Sequence, residues 1–229
     1  MPIDIQNGSP DQKTSMRGRG EFIALIAAIM AINALAVDIM LPGLPQIGAS
    51  LGVLSENHAQ FVITAYLLGF GVSQLFYGPL SDRFGRRLPL FGGLLIYILA
   101  ALGAAVATDF TTLIVLRVLQ GLGAAATRVI AVSVVRDKFA GRQMAEVMSL
   151  VMMVFMILPV VAPATGQLIM LFGEWHLIFL SMALMAVIIG VWAYWHRSVQ
   201  PRSALLHARH LVHSWSAVRL HQLGAADLC

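Results

Sequence analysis

Charge is scarce in this sequence. Only 11% of its 229 residues are Asp, Glu, Lys or Arg, against about 25% in an ordinary soluble domain. Hydrophobic residues make up 59% even with glycine left out, so a water-soluble globule of this size would lack polar cover for its surface. The same abundance excludes a disordered chain. Cysteine is almost missing: Cys229 is the sole one and stands last, which excludes a disulfide scaffold. The apolar runs also lack the two-residue alternation of a transmembrane strand, which disfavours a barrel. The class that remains is an all-α integral membrane protein.

Six runs are long and apolar enough to cross a bilayer, which takes about 20 residues each. They read as Phe22–Leu41, Gln60–Leu80, Leu88–Ala107, Thr112–Val135, Ala145–Leu171 and Trp175–Trp195. Thirteen of the fifteen basic residues fall outside these runs and on one side of them. Lys13, Arg17 and Arg19 precede span one; Arg83, Arg86 and Arg87 follow span two; Arg136, Lys138 and Arg142 follow span four; and Arg197, Arg202, Arg209 and Arg219 follow span six. The loops after spans one, three and five hold Glu56, Asp109 and Glu174 but no cation. Basic loops stay in the cytoplasm, so both termini are expected there. The first 20 residues are polar and the first apolar run exceeds a signal-peptide core, so span one reads as a start-transfer helix that stays in place. The expected organisation is a cytoplasmic tail over residues 1–20, a six-helix body over 21–197 and an atypical tail over 198–229, in a multi-pass membrane protein.

Asp38 falls inside span one, and Arg117 and Arg128 fall inside span four. Each costs about 2.5–3.5 kcal/mol at a helix centre, so such residues usually face the bundle interior or a wet cavity. Asp38 and Arg117 lie at similar depth. They read either as part of a proton or substrate pathway or as an ion pair joining two helices. Arg128 sits near the inner end, within snorkelling reach of the interface. Gly69, Gly71, Gly78, Gly92, Gly93, Gly103, Gly121 and Gly123 crowd spans two to four, a composition that lets helix backbones approach closely. Pro159 and Pro163 leave carbonyls of span five unpaired and are expected to kink it.

The run Gly78-Pro79-Leu80-Ser81-Asp82-Arg83-Phe84-Gly85-Arg86-Arg87, between spans two and three, closely resembles the signature loop of the major facilitator superfamily. Asp82 and its three arginines form a compact charge cluster at a cytoplasmic helix end, with Asp137 as a plausible partner for Arg83 or Arg86. Three more stretches agree. Leu116-Arg117-Val118-Leu119-Gln120-Gly121-Leu122-Gly123 resembles the family's fourth-helix arginine motif. Asp38 to Pro45 resembles the first-helix acidic motif of its drug:proton antiporters, and Pro159 to Gly166, with Pro163 between, resembles their fifth-helix motif. The wording is similar to the Bcr/CflA group in particular, over roughly residues 20–197.

The resemblance implies the N-terminal half of a major facilitator fold and proton-coupled efflux of drugs or other small molecules. It implies a cytoplasmic gating latch at Gly78, Asp82, Arg83, Gly85, Arg86, Arg87 and Asp137, a proton-coupling part for Arg117, and protonation or recognition of cationic drugs for Asp38. The proton gradient would be the coupling ion, with no bound cofactor. Family members have two six-helix halves with the substrate cavity between them, so one half is expected to be inactive alone and to need a C-terminal six-helix partner. The alternatives are a homodimeric half-transporter and a non-transporting scaffold. No catalytic set is expected, since a nucleophile beside a base is missing from the spans. Beyond residue 197 the chain reads as shifted-frame sequence, or alternatively as an amphipathic surface helix. Its His207, His210, His213 and His221 lack companion ligands, so no metal is expected, and the tail builds no continuous nucleic-acid stripe. The partners expected are lipid, a small-molecule substrate and the second half.

Overall fold

The computed structural model describes residues 10–52 and 59–195. Helix α1 spans Pro10–Asp38; a 3-10 turn, Leu41–Gly43, leads into the short α2, Leu44–Ser50. Then follow α3 (Phe61–Phe84), α4 (Arg87–Ala104), α5 (Phe110–Lys138), α6 (Gly141–Phe172) and α7 (His176–Trp195). Six of these elements, α1 with its continuation and α3 to α7, are long and apolar enough to cross a membrane, and no strand occurs among the described residues. The protein is a six-helix membrane bundle with α5 at its centre, packed against α1, α3 and α4.

Local sequence explains the helix ends. The carboxylate of Asp109 caps α5 by accepting from the Thr112 backbone N–H at 2.8 Å, satisfying one of the free donors of the first turn. Only Gly85 and Arg86 separate α3 from α4, and the chain reverses there because Gly85 takes φ +80°, a conformation that side chains resist. α5 is 29 residues and α6 is 32. At 1.5 Å per residue these are about 44 and 48 Å long, against a hydrocarbon core of about 30 Å. Their surplus is polar: α5 ends in Arg136, Asp137 and Lys138.

Lipid gives helices no hydrophobic reason to associate, so close packing must hold them. A Cβ on Gly69 of α3 would run into the carbonyl of Val118, and one on Gly121 of α5 into the carbonyl of Tyr66. On the other side of α5, Gly123 meets the Gly93 carbonyl of α4, and Gly93 meets Gly123 and Ala126. α1 is joined to α6 in the same way, with Gly166 against the Ile39 carbonyl.

The structure refines several expectations. α1 stops at Asp38, short of Leu41; Pro42 and Pro45 cannot continue it, so Asp38 is the last helical residue and not an interior one. At its other end α1 begins at Pro10, inside the polar segment. α3 and α5 each carry about one more turn on the cytoplasmic side than hydropathy alone suggests. Gly71, Gly78 and Gly92 have open space where a Cβ would stand, so they do not serve helix contact within this body. α6 runs unbroken through Pro159 and Pro163. The segment 1–9, Glu56, and the tail 198–229 with its histidines and Cys229 lie outside the described residues.

Two outcomes follow from this packing and capping. Gly121→Val, which places a branched side chain against the Tyr66 backbone, should lower the stability of the purified protein by about 3 kcal/mol or more, at or beyond the upper end of ordinary overpacking. Gly71→Ala should change it by less than about 0.5 kcal/mol; a thermal melt in detergent compares the two. The Asp109 carboxyl is held below its ordinary value, first by the hydrogen bond with the Thr112 side chain and then by the Thr112 backbone. Its contribution is complete above the unfolded value of about 3.9 and disappears as pH falls through the lower folded value. Asp109→Asn should therefore flatten the acid limb of the melting-temperature profile and leave its shape above pH 6 unchanged.

Candidate functional site

The buried charge lies on α5. Arg117 is 1% exposed and seven residues into the helix, about 10 Å from its outer end. Its Nη1 donates to Gln120 Oε1 at 3.0 Å and, at 3.4 Å, to the Ala36 carbonyl of α1. Its guanidinium carbon stands 4.5 Å from the centroid of the Phe179 ring on α7 and 5.9 Å from that of Tyr66 on α3, so the cation is held partly by aromatic faces. Tyr66 donates to Asn33 Oδ1 of α1 at 2.8 Å, and Gln120 Nε2 lies 3.7 Å from Met182 Sδ on α7. Four spans thus converge on one guanidinium.

That convergence leaves Arg117 underpaired. Its Nε and Nη2 are buried with no hydrogen-bond partner among the described residues, and so is the hydroxyl of Tyr97 on α4. A guanidinium carries five N–H donors, and leaving a buried charge without a counter-ion is expensive. Asp38 does not supply one. No ion pair joins the two residues, and Asp38 is half-buried at the end of α1, its side chain without a hydrogen bond among the described residues. The helix-joining ion pair considered from the sequence is therefore not formed; Arg117 reaches instead the carbonyl of Ala36, two residues before Asp38.

The two antiporter-like stretches meet in the fold. The break after Asp38 packs on α6 at Gly166, which faces both the Ile39 carbonyl and the Pro42 ring. Pro159 lies about two turns and Pro163 about one turn earlier on α6, and Thr165 bonds back to the Ala162 carbonyl at 2.7 Å. Gln120 orients Arg117, whereas its neighbours Gly121 and Gly123 set the spacing of α5 from α3 and α4. Arg128 lies near the rings of Phe70 and Phe155 at about 6 Å, half-buried between α3 and α6.

At the cytoplasmic end Arg86 is the hub. Its Nε donates to Asp137 Oδ2 at 3.0 Å and its Nη1 pairs with Asp82 Oδ1 at 3.3 Å and bonds the buried Ser81 hydroxyl. One side chain therefore ties the α3–α4 turn to the end of α5. Arg83 contacts the Phe84 ring instead, and Arg87 is exposed with no ion pair among the described residues. Sequence reasoning missed Asn33, Tyr66, Tyr97 and Phe179. Asn33 carried a faint signal, as a lone amide in an apolar span, but the aromatic residues look like any lipid-soluble side chain.

Six spans around a buried, underpaired cation, with a charge cluster tying two loops on one face, define an integral membrane protein built like a transporter body. The sequence model of the Major Facilitator Superfamily matches residues 26–225. The chain belongs to that superfamily. It is 34% identical over 176 residues to a chloramphenicol resistance protein of Pseudomonas aeruginosa, covering 76% of this chain and 42% of that one. Multidrug resistance protein MdtL of Escherichia coli is 35% identical over 166 residues, 72% of this chain and 42% of its own. The uncharacterized MFS-type transporter YdgK of Bacillus subtilis is 38% identical over 157 residues, 68% of this chain and 39% of its own. The chain thus spans about two fifths of the length of these curated relatives. The crystal structure of a D-xylose-proton symporter shares the fold with TM-score 0.64 and 14% identity, over 87% of this chain and 53% of that one. Six spans and bacterial relatives make this a multi-pass protein of the bacterial inner membrane.

The two hydrogen-bonding partners on α5 separate by substitution. Gln120→Leu removes the nearer acceptor and leaves the cation buried, so it should destabilise by about 1–3 kcal/mol. Arg117→Met removes the charge itself and should be neutral or stabilising, as replacing a poorly compensated buried charge by an apolar side chain often is. Melting temperatures of the two variants in one detergent compare them.

Proposed function

We propose that the chain supplies the N-terminal half of a proton-coupled efflux transporter for drugs or other small molecules, and that transport requires a second six-helix body. The observation that carries this reading is Arg117: a buried cation with two donors unpartnered inside its own bundle. Intramembrane charges of this kind mark ion and substrate paths. The drug-resistance names of two of the relatives support the substrate class.

In this reading Asp38 takes up and releases the coupled proton. It ends α1 at membrane depth, half-buried and with no side-chain hydrogen bond among the described residues to hold the carboxyl in one state. Protonation removes a negative charge from a stretch of backbone that Arg117 holds through the Ala36 carbonyl. A cationic or polar substrate competes with the proton for the same carboxylate, which couples the two fluxes. Gly166, seated on the break in α1, transmits movement of that break to α6, and Pro159 and Pro163 give α6 carbonyls free to adjust. At the cytoplasmic end the Arg86 cluster latches one conformation. Asp82 and Asp137 are 71% and 48% exposed, and pairs at that exposure are worth about 0–1 kcal/mol each, weak enough to open in every cycle.

One observation is equally compatible with a second reading, the homodimeric half-transporter. α6 buries only Val147, Val151, Ala162 and Gly166, which leaves a long apolar face for another six-helix body of either kind. A single assay separates the two. Cells making the chain together with the C-terminal six helices of a curated relative should extrude a fluorescent cationic drug, with loss of efflux on collapsing the proton gradient and in Asp38→Asn. The chain alone should show none. Gradient-dependent efflux by the chain alone, with a dimer in native mass measurement, overturns the proposal for the homodimer; no efflux in either arrangement leaves the scaffold.

A further inference from the structure

An apolar groove of about 380 Å³ opens on the outside of the bundle between α4 and α7, away from Arg117. Phe91, Leu95 and Ile98 line it from α4, and Val191, Tyr194 and Trp195 from α7. α4 leaves the cytoplasmic loop at Arg87 and α7 returns to that side at Trp195. Ile98 is 11 residues into α4, about 16 Å, so the groove runs from the cytoplasmic interface to about the middle of a bilayer core about 30 Å thick.

The groove has a charged mouth. Residues 87, 91, 95 and 98 follow helical spacing, so Arg87 continues the α4 wall one turn toward the cytoplasm. Its side chain leans that way, because a helical Cβ tilts toward the helix start, and its aliphatic stem can lie along the apolar wall while the guanidinium reaches the interface. Arg86 beside it is engaged by Asp82 and Asp137; Arg87 is exposed and makes no ion pair among the described residues. Opposite, Tyr194 meets Phe91 edge-on with ring centroids 6.1 Å apart, and Tyr194 and Trp195 are residues of the kind that settle at headgroup level.

We propose that this groove is a binding site for an anionic phospholipid of the cytoplasmic leaflet, with an acyl chain along α4 and α7 and the headgroup phosphate on Arg87. Charge complementarity selects the occupant. A cation at the cytoplasmic mouth of an interhelical groove suits a lipid of net negative charge, and a basic residue at that surface contributes about fivefold in affinity. Arg87 thus has a function separate from the latch that Arg86 forms, and the site is independent of whether the chain transports.

The test uses the full chain in nanodiscs of dioleoyl phosphatidylglycerol and dioleoyl phosphatidylethanolamine in equal amounts, which differ in headgroup alone. Native mass spectrometry should find the retained lipid enriched about fivefold in phosphatidylglycerol. Arg87→Gln should abolish the enrichment and Arg87→Lys should keep most of it. Val191→Trp, which fills the groove from an exposed position, should reduce retention of both lipids. Bromination of the phosphatidylglycerol chains should quench tryptophan fluorescence of the unaltered protein more than bromination of the phosphatidylethanolamine chains, a readout that depends on no variant. Equal retention of the two lipids by the unaltered chain, or enrichment that survives Arg87→Gln, overturns the phosphate contact. Retention unaffected by Val191→Trp overturns the groove.

Discussion

The close approach of α5 to its two neighbours is the constraint on which the rest of the bundle depends. Gly121 and Gly123 are two residues apart, about 200° around the helix, so they face opposite sides. One admits the backbone of α3 at Tyr66 and the other that of α4 at Gly93 and Tyr97. Without a hydrophobic drive between helices, contact at backbone distance is what holds three spans in one layer. Arg117 is four residues before Gly121, on the same face. The contact that packs α3 on α5 thus also delivers the Tyr66 ring to the guanidinium. Packing and site are one construction.

Two adjacent arginines show how little chain is needed to divide labour at the cytoplasmic end. Gly85 turns the chain with its positive φ, so Arg86 falls between helices and folds inward over Ser81 toward Asp137. Arg87 is the first residue of α4 and takes the direction of its helix, outward. A side chain at the turn would strain it, because α3 and α4 are joined by only two residues. The charge cluster therefore owes its geometry to a glycine that carries no charge.

The number of spans and their order were legible in the sequence, since hydropathy varies along one dimension and needs no partner to be read. The break at Asp38 was half legible. Pro42 and Pro45 announce a stop, but hydropathy continues through Ile39, Met40 and Leu41 and pointed three residues too far. Which glycines pack was not legible at all. Gly69 and Gly71 look alike in an apolar run, and only the face turned to α5 separates them. A helix that is apolar all round has no moment to mark its inner side. For the same reason Tyr66, Tyr97 and Phe179, drawn to Arg117 from three other spans, carried no sign of it.

Arg117 and Asp38 pose the remaining physical question, which is why a bundle keeps two charges at membrane depth without pairing them. A direct ion pair would cancel much of the electrostatic cost and would also fix both groups in one state, because each would then hold the other's charge. Separation keeps them responsive. Arg117 is positioned by neutral groups, the Gln120 amide, the Ala36 carbonyl and the Phe179 ring, none of which titrates in the physiological range. Asp38 sits where α1 has run out of helix and α6 presses on the break. A change of charge on the carboxylate would thereby fall on the helix end against which Gly166 packs, two residues beyond the carbonyl that Arg117 holds. If Asp38 carries the coupled proton, as proposed, the arrangement gives up stability for a dependence on protonation, which is the exchange a proton-driven machine requires.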